Sequence, residues 1–192
     1  EPNPPAGIPG TPDAPDAGAT VSITGDAAVW EGNAATYTVT TDTVSTSPIS
    51  VVVQTTQATV NPATGDVDYT TVNTTVTIPA NSNSTTFTVQ TTDDALADSG
   101  ENFVAEIVSA SSAQYEAVAV NATANAVTTQ IVDASEPNPP AGIPGTPDSP
   151  DAGTTLSITG DTSVFEGDLA TYMVSVTNAP LVDMIVDVII AN

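Results

Sequence analysis

Asp93, Asp94 and Glu101 lie within nine residues of one another, in a stretch that reads Asp-Asp-Ala-Leu-Ala-Asp-Ser-Gly-Glu. Further acids stand at Glu31 before Gly32, at Asp66 and Asp68 after Gly65, and at Asp133 after Ile131-Val132. Grouped carboxylates support two kinds of chemistry. A pair can exchange protons with a substrate, or a cluster can hold a hard divalent cation, Ca2+ above all, which takes about six to eight oxygen ligands. The rest of the composition weighs on that choice. The 192 residues contain no Lys, Arg, His or Cys against 23 Asp and Glu, a formal charge of −23. No internal side-chain salt bridge can form. Two carboxylates about 5 Å apart repel by roughly 3 kcal/mol at an effective dielectric near 20, a large share of a domain's net stability of about 5–15 kcal/mol. Solvent, backbone N–H groups or a bound cation must offset that repulsion.

The same absences close off other chemistry. There is no thiolate, imidazole base, disulfide or usual zinc ligand set, and no lysine for a Schiff base. Without basic side chains, nucleic acid and anionic membranes are poor partners. Asp98-Ser99-Gly100 matches the aspartic-protease triplet but lacks hydrophobic flanks and a second copy. A glycosidase would need an aromatic sugar cleft, and the chain holds only Trp30, three Phe and four Tyr. An enzyme is therefore not expected. Trp30 aligns with Phe165 of the next repeat, which suits a packing residue. Asn73, Asn83 and Asn121 open glycosylation sequons of a kind that a Thr-rich chain produces by chance. No apolar run approaches the roughly 18 residues of a membrane span. The chain starts at Glu1 with no basic stretch ahead of a hydrophobic one, and it reads as a window on a longer mature chain.

These acids must be positioned by the elements between them. The segment EPNPPAGIPGTPDAPDAG (Glu1–Gly18) returns at Glu136–Gly153 with only Ala14 changed to Ser149, a period of 135 residues. Ser22–Gly32 recurs as Ser157–Gly167, and Ala35–Val39 as Ala170–Val174. Self-similarity at so long a period marks a tandem array of whole domains. The expected organisation is a Pro-rich linker at 1–18, one complete domain at 19–135, a linker copy at 136–153, and the first strands of an incomplete repeat at 154–192. Twelve of the 16 prolines lie in the linkers. Closely spaced prolines favour polyproline II, a spacer that would reach roughly 55 Å if straight. Gly7 and Gly10 leave a bent or docked course open.

Between the linkers, Val, Ala and Ile alternate with Thr, which is strand chemistry. Strands are expected at about Thr20–Thr24, Ala34–Thr40, Ile49–Thr55, Asp68–Thr71, Thr74–Ile78, Thr85–Thr91, Asn102–Ser109 and Val118–Val132, the last open to a break. Asn61-Pro62, Gly65-Asp66, Asn81-Ser82-Asn83 and Ser99-Gly100 signal turns. No stretch carries helical periodicity. The expected fold is all-β, an antiparallel immunoglobulin-like sandwich repeated along the chain. Alternate loops of a sandwich gather at one pole, so acids distant in sequence meet there.

The order of these elements resembles the Calx-β family over nearly all of residues 19–135. The carrying motifs are Glu31-Gly32 before Ala35-Thr36-Tyr37-Thr38-Val39, Gly65-x-x-Asp68-Tyr69, Val76-Thr77-Ile78-Pro79-Ala80, Thr86-Phe87-Thr88-Val89, Asp93-Asp94 with Glu101-x-Phe103, and the closing Ile131-Val132-Asp133. The resemblance implies a sandwich that binds Ca2+ at one pole, with ligands at Glu31, Asp68, Asp93, Asp94, Glu101 and Asp133. Asp98 stands where the family usually has Glu, and Ala134 follows Asp133 where further acids are common. Fewer or weaker ions are expected on that account. In the second repeat, Glu166 alone matches Glu31.

The plain alternative is that acids merely keep strand ends soluble, as expected of Asp13, Asp16, Asp42, Glu106 and Glu116. Together these readings point to a Ca2+-stiffened extender repeat of a giant secreted surface protein, an adhesin or extracellular filament. Its expected partners are neighbouring repeats of the same or identical chains, with strand donation from residues 154–192 as one form. A Ca2+-sensing or carbohydrate- or surface-binding module is the alternative; it should change shape with Ca2+, whereas an extender should only gain melting temperature.

Overall fold

The computed structural model describes residues 17–94, 99–147, 155–177 and 184–189. Two compact units divide the chain, Glu1–Asp151 and Ala152–Asn192. Among the described residues of the first unit the apolar/Thr alternation becomes nine strands: β1 (Ala17–Gly25), β2 (Ala28–Trp30), β3 (Ala34–Thr41), β4 (Ile49–Gln57), β5 (Asn73–Ile78), β6 (Ser84–Gln90), β7 (Asn102–Ser112), β8 (Ala117–Val120) and β9 (Ala126–Val132). They form two sheets, β6-β3-β1-β8 and β2-β9-β7-β4-β5. Because side chains on a strand alternate between faces, each strand sends every second residue inward. Val21 and Ile23 of β1, Tyr37 and Val39 of β3, Val51 and Val53 of β4, and Phe103 and Ala105 of β7 are all buried. Each fully buried Val or Ile contributes about 1.5–3 kcal/mol. This is the expected all-β sandwich.

Most neighbours are antiparallel, but two pairs are not. β1 runs parallel to β8 and β2 runs parallel to β9. Both departures have one cause. The chain switches sheets at Asp26–Ala27 between β1 and β2, and again at Asn121–Asn125 between β8 and β9, so the first and last segments of the domain travel side by side. Ile23 N donates to Ala124 O (2.9 Å) and Gln130 N to Ala27 O (3.1 Å), tying the two crossings together. Here the inner polar groups are paired as well. Thr129 Oγ1 donates to Asp26 O at 2.6 Å and shares a short hydrogen bond with the Tyr37 hydroxyl. Burial pushes the Tyr37 phenol above its ordinary pKa.

Gly25 has a steric reason. A Cβ there would stand 2.3 Å from Tyr37 Cδ1 and 2.8 Å from Thr36 O. The next residue, Asp26, accepts the Thr36 N–H through Oδ2 at 2.8 Å. The Ser-Ile-Thr-Gly-Asp stretch is thus a corner device that packs and staples β1 to β3.

Two expectations need correction. Asp68–Thr71 is no strand; it is a turn in which only Tyr69 makes isolated bridges, to Gly65 and Thr91. Local side-chain acceptors win over the ladder there. Asp68 Oδ2 takes the Thr64 N–H, and Asp66 Oδ1 takes the N–H and Oγ1–H of Thr71 at 3.0 and 2.7 Å. Those two bonds hold the Asp66 carboxyl below its usual pKa. The apolar run Met184–Ile190, with which the first strands expected at 154–192 were to end, is likewise no strand over its described part, 184–189. Its counterpart, β4, exists as a strand because β5 and β7 flank it.

In the second unit, β10 (Leu156–Gly160) and β11 (Tyr172–Val176) form one antiparallel hairpin. Ile158 faces Val174 and Gly160 faces Tyr172, as Ile23 faces Val39 and Gly25 faces Tyr37 in β1 and β3. Asp161 repeats the corner device, accepting the Thr171 N–H at 2.9 Å.

Linker residues 1–16 lie outside the described residues. The described part of the second linker, 136–147, is not a detached rod. Pro140–Pro144 lines one cleft together with Gly25–Ala28 and Gln130, and Thr146 O accepts from Asn33 Nδ2 at 3.2 Å.

Candidate metal centre

The end of β9 organises the acidic pole. On one side β2 pairs with it in parallel, and Glu31 N donates to Val132 O at 2.9 Å. On the other side β7 pairs antiparallel; Gly100 N donates to Ile131 O at 3.0 Å and Ile131 N to Glu101 O at 2.8 Å. Glu31, Asp133 and Glu101 therefore stand on three successive backbone segments. Adjacent strands lie about 4.8 Å apart, which puts the outer two roughly 10 Å from each other at the backbone.

Asp93 and Asp94 join from the end of β6. Asp94 N donates to Glu31 Oε1 at 3.2 Å. Gly32 adopts φ 74°, the left-handed region that favours glycine. A Cβ at Gly32 would sit 3.1 Å from Asp93 Cβ, so glycine lets the two loops meet. Asp68 enters through its backbone, its carbonyl accepting the Thr92 N–H at 2.9 Å. Its carboxylate is turned onto its own loop at Thr64 N.

All six sequence-chosen acids thus border one pole, but their carboxylates are not equally gathered. Glu31 with Asp93 and Asp94, and Asp133 between Glu31 and Glu101, are brought together by backbone bonds, whereas the Asp68 side chain faces its own turn. Among the described residues, no group of three or more acidic side chains is spaced to hold one ion. The donor chemistry, oxygen only, suits Ca2+; the described positions do not form a ligand cage. Asp98 lies outside the described residues.

Asp133 is buried, 8% exposed, alone among the described carboxylates. Its Oδ1 accepts the Ser135 N–H. A buried charge needs compensation, and this chain has no basic side chain to offer it.

Sequence reasoning missed two supports of this pole. Thr91, 2% exposed, donates its hydroxyl to Asn33 O at 2.7 Å and Trp30 O at 3.2 Å. Gln90 Nε2 donates to Gly32 O at 2.6 Å. Together they clamp the Glu31 turn onto the end of β6. The legible signal was phase: Thr91 falls on the inward side of the strand that buries Val89, where a polar residue demands a partner.

No protein-family model matches the chain, and no curated protein matches its sequence. Solved structures do. CBD12 from CALX1.2 is similar with a TM-score of 0.52 and 19% identity, over 60% of this chain and 45% of that one. The Calx CBD2 domain is similar with a TM-score of 0.50 and 11% identity, over 61% of this chain and 88% of that one. The match spans less than half the length of the CBD12 chain. At such identities the likeness is one of fold: the first unit has the architecture of a Calx β-sandwich domain.

Proposed function

We propose that this domain is a non-enzymatic structural extender in a large secreted surface protein, an adhesin or extracellular filament, and that its acidic pole takes up Ca2+. Glu31, Asp93, Asp94, Glu101 and Asp133 are the residues that would close on the ion, Asp68 joining them only by releasing the Thr64 N–H, and neighbouring repeats, in the same or identical chains, are its partners outside the cell. The observation that carries this reading is the buried Asp133 carboxylate, flanked by the Glu31 and Glu101 segments in a chain with no basic side chain. A dication supplies there what the composition withholds. The 135-residue repetition of linker and domain supports the extender role, and the resemblance of the ordered acidic motifs to the Calx-β family supports the metal. Bound Ca2+ stabilises the native state by RT ln(1 + [L]/Kd), about 2.7 kcal/mol at a hundred times Kd.

Thermal unfolding in EGTA and in millimolar Ca2+ tests it. Trp30, the one tryptophan, sits in β2 of the complete domain, so its emission reports that domain and not the second unit. Ca2+ should raise the midpoint with little change in hydrodynamic radius. An unchanged midpoint removes the metal, and a large change of shape removes the extender.

A further inference from the structure

The linker that follows the domain offers a binding mode that composition did not reveal. Residues 137–147 are exposed except for Ile143, which is half-buried. On either side of it, Gly142 and Gly145 take φ 82° and 84°. Glycine adopts those angles cheaply, and the two bends bring Ile143-Pro144 to the cleft at the corner where β1 passes into β2. Gly25, Asp26, Ala27, Ala28 and Gln130 line a cleft of about 240 Å³ there together with Pro140–Pro144. The Asn33–Thr146 hydrogen bond closes the arm at its far end.

The chemistry of the two surfaces agrees. The eleven residues Pro137–Pro147 carry no charge, so they cover an anionic domain without adding repulsion. β2 is the edge strand of its sheet, and an exposed edge is a template for unwanted pairing. Prolines lack the N–H that would extend a ladder. A proline-rich arm passing Ala28, at the start of that strand, therefore offers no new ladder there.

We propose that the corner formed by Gly25–Ala28, Asn33 and Gln130 is a binding site for an uncharged proline-rich peptide, the Ile-Pro-Gly-Thr stretch of the following linker. Each linker is then an arm of the domain before it, and its docking sets the direction in which the chain leaves. Glu1–Asp13 is identical to Glu136–Asp148, so every linker carries the same anchor. The inference goes beyond the metal reading and stands without it.

Paired substitutions in the full chain test it, followed by Trp30 emission in EGTA so that Ca2+ plays no part. Ile143→Asp should lower the unfolding midpoint by roughly 3 °C, the shift expected for losing one half-buried anchor in a unit of this size. Ile8→Asp, with the same net charge and the same local sequence, should leave it unchanged. The double change Gly142→Val with Gly145→Val, which adds no charge, should act as Ile143→Asp does. Equal midpoints for Ile143→Asp and the parent chain overturn the proposal. A drop with Ile8→Asp in place of Ile143→Asp also overturns it, by giving the corner to the preceding linker.

Discussion

Replacing Asp133 by Asn separates charge from shape at the acidic pole. Asn keeps an Oδ1 to accept the Ser135 N–H and nearly the same volume, so the substitution removes little besides the charge. Glu31 and Glu101 belong to the segments on either side of β9. With charges roughly 5–10 Å from Asp133, each pair repels by about 2–3 kcal/mol at an effective dielectric of 20. Both glutamates are part-exposed, and solvent and salt reduce the sum to about 1 kcal/mol. In EGTA, Asp133→Asn should therefore raise the midpoint of Trp30-monitored unfolding, by about 4 °C for a domain of this size. In millimolar Ca2+ the sign should reverse. On the proposed Ca2+ uptake the parent chain should gain about 2.7 kcal/mol at a hundred times Kd, and the variant, short of one proposed ligand, should lose much of that gain. The assay is the pair of melts, parent and variant, in both solutions. A shift of the same sign and size in both solutions would refute the reasoning, since the charge would then be indifferent to the ion.

Two further expectations are simpler. Thr129→Val should cost about 1–3 kcal/mol in urea unfolding, because it leaves the buried Tyr37 hydroxyl and Asp26 carbonyl short of a partner; a neutral result would mean that water replaces the hydroxyl. The Asp42 carboxyl, which accepts the Thr20 N–H at 2.8 Å, is held below its ordinary pKa of 3.8. A depressed folded pKa contributes stability above the unfolded value and loses it as pH falls through the folded one. Asp42→Asn should accordingly flatten the loss of stability as pH falls below about 4, and an unaltered slope would show that the bond is not formed in solution.

Much of this architecture was legible because alternation of Val, Ile and Ala with Thr is a local signal that burial on one face obliges. β3, β4 and β6 fall within two residues of the expected strands, and the last long run, open to a break, divides at Asn121–Asn125. The convergence of acidic loops was legible too, since a sandwich leaves alternate loops nowhere else to go. What escaped is non-local or competes locally. β2 has three residues and exists through its parallel pairing with β9, a consequence of the sheet switch at Asp26–Ala27 that no window of sequence displays. Asp66 and Asp68 sit beside β-forming Tyr69 and Thr70, yet their side chains capture backbone N–H groups and make a turn. The linker's prolines announce a stiff segment; where that segment lies depends on a corner built more than a hundred residues earlier.

The side-by-side course of the first and last segments has a mechanical consequence. Because β1 and β2 run parallel to β8 and β9, the chain enters the domain near Ala17 and leaves beyond Val132 at opposite ends. Tension applied through the two termini is directed along those strands, so their inter-strand bonds are loaded in shear. They cannot be unzipped one at a time, as they would be had the terminal strands been antiparallel and the ends adjacent. Extension must break a whole patch at once, which makes the domain stiff to slow pulling and abrupt when it yields.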